Sequence, residues 1–241
     1  LLPGLLSAVQ RNIDRGAASV RLFELGRRYL ADGEHPSLTF VLAGDKLPRG
    51  WQSGKAQGFD AYDAKAICLA LLDAAGAPVD NLQVMGDAGP FYHPGQSATL
   101  RLGPKNQLAS FGVVHPATAK AFGIDGLVVA GGIHLDAIPL RKAAGFMRPA
   151  YSPPPLQAVT RDFAFFMPQD LPAGELVRAV RSADKENIVA ARLFDLFVGR
   201  GVPDGMKSLA VEVTLQPVGK SFDEAALNEI TLRVANAGAK L

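Results

Sequence analysis

Cysteine and histidine are scarce in this 241-residue sequence, which has one thiol, Cys68, and four imidazoles, His35, His93, His115 and His134. A single thiol excludes an internal disulfide framework and fits a reducing compartment. The histidines sit on separate segments with no His-x-x-x-His or Cys-x-x-Cys spacing, which argues against a zinc site. Long apolar runs and a signal-like start are also missing, so a soluble chain with no membrane contact is expected. No glycine-rich phosphate cradle is visible, because Gly131-Gly132 falls inside a strand-like run rather than between a strand and a helix. There is no Gly-x-Ser-x-Gly elbow, and the acidic residues do not gather into a catalytic pair. The formal net charge of +2 confines any nucleic-acid footprint to a local patch.

What is present is enough apolar sequence for two domains of medium size. Leu2, Leu5, Leu6, Val9 and Ile13 recur at helical spacing up to a stop near Gly16. Residues 1–15 read as a helix already in progress and Leu1 is not an initiator, so a piece of a longer polypeptide is expected. Strands are predicted from Val20 to Tyr29 and from Ser37 to Gly44. A helix capped by Asp60 follows, with Ala64, Ile67, Cys68, Leu71, Leu72 and Ala75 on one face. On that stripe Cys68 reads as a small core hydrophobe. Short strands over 81–85, 97–102, 107–114 and 127–135 then point to an antiparallel sheet in an α+β domain. His93 and His115 each open a His-Pro at a strand end, where the ring is expected to cap a turn.

The proline-rich stretch from Gly145 to Pro155 reads as a semi-rigid spacer between domains. Beyond it the order is strand (Val159 to Met167), helix, strand (Ala191 to Phe197), strand (Lys207 to Leu215) and helix. That is a split βαβ, ferredoxin-like pattern lacking its last strand, which would leave the segment around Arg161 as an unpaired edge. Ser221 and Glu224 form a Ser-x-x-Glu capping box for the final helix, and Gly238 reads as its stop. Alternation places Leu209, Val211, Val213, Leu215, Phe163 and Phe165 against the helices. Thr160, Asp162, Ala164, Ser208, Ala210, Glu212 and Thr214 are left outward, so the open face is expected to be small and polar rather than aromatic.

Phe23-Glu-Leu-Gly-Arg27, Phe91-Tyr-His-Pro-Gly-Gln-Ser-Ala98 and Phe111-Gly-Val-Val-His-Pro116 resemble the C-terminal half of the β chain of bacterial phenylalanyl-tRNA synthetase. Arg161-Asp162, Leu193-Phe-Asp195 and Lys207-Ser-Leu-Ala210 resemble its anticodon-binding module. The resemblance implies that residues 1–148 are a class II synthetase-like core without catalysis and that 149–241 are a ferredoxin-like anticodon-binding domain. An active class II site uses an Arg-x-Glu strand and a late Gly-x-Gly-x-x-Arg segment. Here Arg21-Leu-Phe-Glu24 has the wrong spacing to put both side chains on one strand face, and the segment from Ala143 to Arg148 keeps one glycine. The implied role is that of a cytoplasmic β subunit, binding phenylalanine tRNA beside a catalytic α chain in an α2β2 assembly. ATP and Mg2+ would serve the whole enzyme, with no cofactor in this part. The helix of Leu2, Leu5, Leu6 and Val9 could either contact the α chain or pack on its own sheet. Candidate tRNA-binding residues are Arg161, Asp162, Arg192, Lys207, Ser208, Thr214 and Lys220. The alternative is a ferredoxin-like protein-docking or regulatory module without RNA contact.

Overall fold

The computed structural model describes residues 1–86, 88–140 and 150–241, so the predicted late segment from Ala143 to Arg148 and most of the predicted spacer lie outside the described residues. The chain divides into two compact units, residues 1–146 and 147–241. No helix among the described residues is long and apolar enough to cross a membrane.

The first unit is built on one sheet. Strands β1 (Ser19–Leu30) and β2 (Gly33–Leu47) form a long hairpin, and β3 (Gln57–Gly58) adds two residues against β2. Then come β4 (Gln83–Met85), β5 (Tyr92–Leu102), β6 (Asn106–Val114) and β7 (Val128–His134), giving the order β1-β2-β7-β6-β5-β4 with antiparallel neighbours. Strict alternation gives the sheet two buried faces. Phe40, Leu42, Phe111, Val129 and Ile133 point to helix α2 (Ala61–Ala74), whose Ala64, Cys68 and Leu72 close that core. Asp60 caps α2 by accepting from the backbone of Tyr62 and Asp63, and Asp63 reciprocates toward Asp60. Val41, Ala43, Val114, Val128 and Ala130 point the other way, toward helices α1 (Leu2–Asp14) and α3 (Pro116–Ala121). Leu5, Leu6 and Val9 of α1 are buried against that face, so the helix packs on its own sheet.

The second unit has the order β8 (Val159–Pro168), α4 (Ala173–Ser182), β9 (Ile188–Phe197), β10 (Met206–Leu215) and α5 (Glu224–Gly238). Its three strands are antiparallel in the order β8-β10-β9, the split βαβ arrangement expected, with β8 at one edge. Leu209, Val211, Val213 and Leu215 are buried beneath Leu176 and Val180 of α4 and Ile230 and Val234 of α5. Asp184, 5% exposed, ties the helices together: it accepts from the backbone of Glu186 and Asn187 and from Arg233 Nη1 at 2.9 Å.

Two predicted helix signals at α5 differ from the structure. The cap is Asp223 rather than Ser221, with its carboxylate accepting from the Ala226 backbone at 2.8 Å. Gly238 is the last residue of the helix, not its stop. A side chain there would meet Phe165 Cε1 at 2.3 Å, so the glycine allows the helix to approach the sheet.

Candidate nucleic-acid interface

The face of the second sheet that α4 and α5 leave open is ordered by register into four rows across β8, β10 and β9. They are Thr160-Thr214-Ala190, Asp162-Glu212-Arg192, Ala164-Ala210-Asp195 and Phe166-Ser208-Phe197. The last row corrects the expectation of a face without aromatics. Phe166 is 54% exposed and Phe197 49% exposed, and both lie directly across from Ser208. Phe166 follows from continuing the alternation of β8 one step beyond Ala164. Phe197 does not, because β9 is bulged: Ala210 pairs with Asp195 but Val211 pairs with Leu193, which leaves Phe194 as the extra residue. The small side chains of Ala164 and Ala210 make a shallow floor beside the aromatic row, with the Asp195 carboxylate at its rim.

The predicted residues divide by position. Asp162, Arg192, Ser208 and Thr214 lie on the open face. Arg192 Nη2 donates to Glu212 Oε1 at 2.9 Å, and Arg192 remains 69% exposed. Arg161 is exposed on edge strand β8 but has the parity of Phe163 and Phe165, so it belongs to the helix side. That parity puts it on the opposite face of the sheet from Asp195, so the two do not pair. Lys207 also departs from expectation: it is buried on the helix side, and its Nζ donates to the carbonyls of Gln169 and Leu171 at 2.9 and 2.5 Å. A lysine spent on the β8–α4 turn is unable to reach a phosphate above the open face. Lys220 lies off the sheet before α5, 83% exposed and 3.7 Å from Asp223.

The first unit holds the residues nearest to a phosphate-gripping pair on its first strand. Arg21 and Glu24 project from opposite faces of β1, since Arg21 pairs with Leu42 and Glu24 with Thr39. Arg21 donates to the Lys46 carbonyl at 2.9 Å and its guanidinium stands 5.0 Å from the Phe59 ring centre. These residues do not fit an ATP α-phosphate site. His93 and His115 act as expected, each accepting at Nδ1 from a backbone N–H two residues on, Gly95 and Ala117, at 3.1 Å. Burial pushes the Cys68 thiol up to about 12, which rules out a thiolate at neutral pH.

Comparison with known families gives two matches. Residues 1–135 match the phenylalanyl tRNA synthetase beta chain CLM domain. The chain belongs to the phenylalanyl-tRNA synthetase beta chain family. Residues 154–240 match the ferredoxin-fold anticodon binding domain, the unit that carries the aromatic row. Relatives within the family include the phenylalanine–tRNA ligase beta subunit of Novosphingobium aromaticivorans, 66% identical over 247 residues, with 100% of this chain and 31% of the relative covered. That of Zymomonas mobilis is 53% identical over 240 residues, again across 100% of this chain and 30% of the relative. That of Brucella suis is 40% identical over 250 residues. This chain therefore spans less than a third of the length of these family members.

Proposed function

We propose that this chain is the C-terminal part of a phenylalanine–tRNA ligase β subunit, and that its second unit holds the anticodon loop of phenylalanine tRNA on the open face of its sheet. The reading rests on the row Phe166-Ser208-Phe197. Two half-exposed rings on neighbouring strands offer stacking surfaces for unpaired bases, each worth about 1–3 kcal/mol. The carboxylate of Asp195 and the hydroxyl of Ser208 lie within the same patch, where they can pair with base edges that the stacked rings expose. A carboxylate accepts from amino and imino donors of a base, so the patch favours bases that present such donors. The sheet face itself carries Asp162, Asp195 and Glu212 against Arg192, which repels phosphate. The RNA backbone is therefore held away from the sheet face, with Lys220, exposed before α5, as a basic group left to meet it, and the bases turn inward.

In this reading ATP- and Mg2+-dependent aminoacylation belongs to a separate catalytic α chain within an α2β2 cytoplasmic assembly. The first domain, taken as residues 1–148, has a supporting role. The test is fluorescence-anisotropy titration of the full chain with a labelled anticodon stem-loop of phenylalanine tRNA. Phe166→Ala and Phe197→Ala should each weaken binding about 5- to 150-fold, while Phe197→Tyr retains it. Wild-type affinity in both alanine variants, or equal affinity for a stem-loop with scrambled loop bases, would sink the reading in favour of a protein-docking module.

A further inference from the structure

The α1-facing side of the first sheet changes character along its strands. Where α1 and α3 cover it the residues are apolar, but toward the ends of β2 and β7 the same parity positions become Ser37, Thr39, Gly132 and His134, with Ser110 alongside on β6. These residues form the floor of a cavity of about 520 Å³, a size usual for small-molecule sites. Its walls are mostly apolar, from Leu1, Leu2 of α1, Phe91, Phe122 and the ring of Tyr92, whose hydroxyl bonds Ser110 on the floor.

Gly132 is the telling residue. Its neighbour Gly131 faces α2, where a side chain would strike Phe40 Cζ at 2.4 Å and Cys68 Sγ at 2.9 Å, so close packing explains that glycine. A side chain at Gly132 would meet only Ser110 Oγ at 3.7 Å and Thr39 Oγ1 at 3.9 Å, which is ordinary contact. Packing does not demand glycine there; the missing side chain instead keeps the cavity floor open between two hydroxyls. Arg28 adds a positive charge to the lining, and its Nε donates to Ser37 Oγ at 2.8 Å. The carboxylates of Asp136 and Asp32 nearby are engaged by His35, at 2.6 and 3.1 Å. No acid lines the cavity among the described residues. Burial, and then the charge of Arg28, hold His134 below its ordinary value, so it serves as a neutral hydrogen-bonding ring at pH 7.

We infer that this cavity binds a small amphipathic monocarboxylate, with its carboxylate at the Arg28 guanidinium and the Thr39 hydroxyl and its apolar or aromatic body against Phe91, Phe122 and the ring of Tyr92; Ser37 Oγ, which donates to the His35 carbonyl at 3.2 Å and accepts from Arg28, holds that guanidinium in place. An arginine beside a hydroxyl suits a carboxylate, and the aromatic walls suit a compact ring or branched chain. The site is separate from the open face of the second unit and does not depend on RNA binding there.

The probe is 3-phenylpropanoate, titrated by calorimetry into the full chain beside its neutral amide. Saturable binding with a Kd on the order of 1 mM is expected for a ligand of this size. The amide, Arg28→Gln and Gly132→Val should each weaken it at least ~tenfold, with circular dichroism unchanged. Should Gly132→Val fail to fold, Thr39→Val removes one floor hydroxyl at similar volume and should weaken binding measurably. The inference is overturned if the acid shows no saturation by about 10 mM, if acid and amide bind alike, or if the folded floor variants bind as the wild type does.

Discussion

His35 fastens the tip of the β1–β2 hairpin to the turn after β7. Its Nδ1 lies 2.6 Å from Asp136 Oδ2 and its Nε2 3.1 Å from Asp32 Oδ1. The bond to Asp136, then that to Asp32, raises the imidazole above its ordinary value of 6.5. A group whose folded pKa lies above its unfolded one stabilises fully below the unfolded value and loses that contribution as pH rises through the folded value. Chemical denaturation of His35→Gln beside the parent should therefore show a stability gap that is largest near pH 6 and shrinks by about pH 9. A gap independent of pH would show that the ring acts by packing alone. This clasp was not legible in the sequence, because Asp136 is 101 positions away and only the antiparallel pairing of β2 with β7 brings it near. His93 and His115 were legible, since each caps a turn within its own His-Pro segment.

For whole elements, local signals and tertiary demands compete at α5. Sequence spacing favours a Ser221–Glu224 box, but Asp223 is the residue whose carboxylate reaches a free N–H of the first turn, that of Ala226. Gly238 looked like a helix stop because glycine ends helices often; its reason is tertiary, the Phe165 ring beneath it. Alanine at that position gains about 1 kcal/mol of helix propensity but forces the ring aside, at about 1–3 kcal/mol. Gly238→Ala should thus lower the stability of the second unit by up to about 2 kcal/mol in urea denaturation. A stabilised variant would show that the ring yields freely. The strands and helices themselves were readable from period-2 and period-3.6 patterning, because each has one buried side. Lys207 was misplaced for a physical reason: it follows the inward parity of Leu209 and Val211, yet a lysine reads as solvent-facing unless carbonyls such as those of Gln169 and Leu171 are in view.

Across the whole molecule, the split of labour is between a first unit with two buried sheet faces and a second with one sheet face open. The change in element order was readable from the sequence, while the aromatic row was not, since it is assembled from separate strands in register. An RNA-binding role for the second unit carries an ionic signature. With Lys207 buried and the open face rich in acids, few phosphates are neutralised. The logarithm of affinity for the stem-loop should fall against the logarithm of salt with a slope of about −0.7 per contact, or roughly −2 to −3 for three or four contacts. Lys220→Ala should flatten that slope by about one contact's share, about 0.7. A slope steeper than about −5 would place the RNA on a basic surface other than this one.

The bulge at Phe194, the second of two along β9, has a consequence beyond local shape. It resets the phase of everything that follows it on that strand. Were the same residues paired without that bulge, Leu196, not Phe197, would stand opposite Ser208, and Asp195 would turn toward the helices. The chemistry of the platform thus depends on the register of one strand as much as on residue type. Deleting Phe194 itself would take out the bulge and still leave Asp195 opposite Ala210 and Phe197 opposite Ser208, whereas regular pairing of the unshortened strand would put Phe194 and Leu196 in their places.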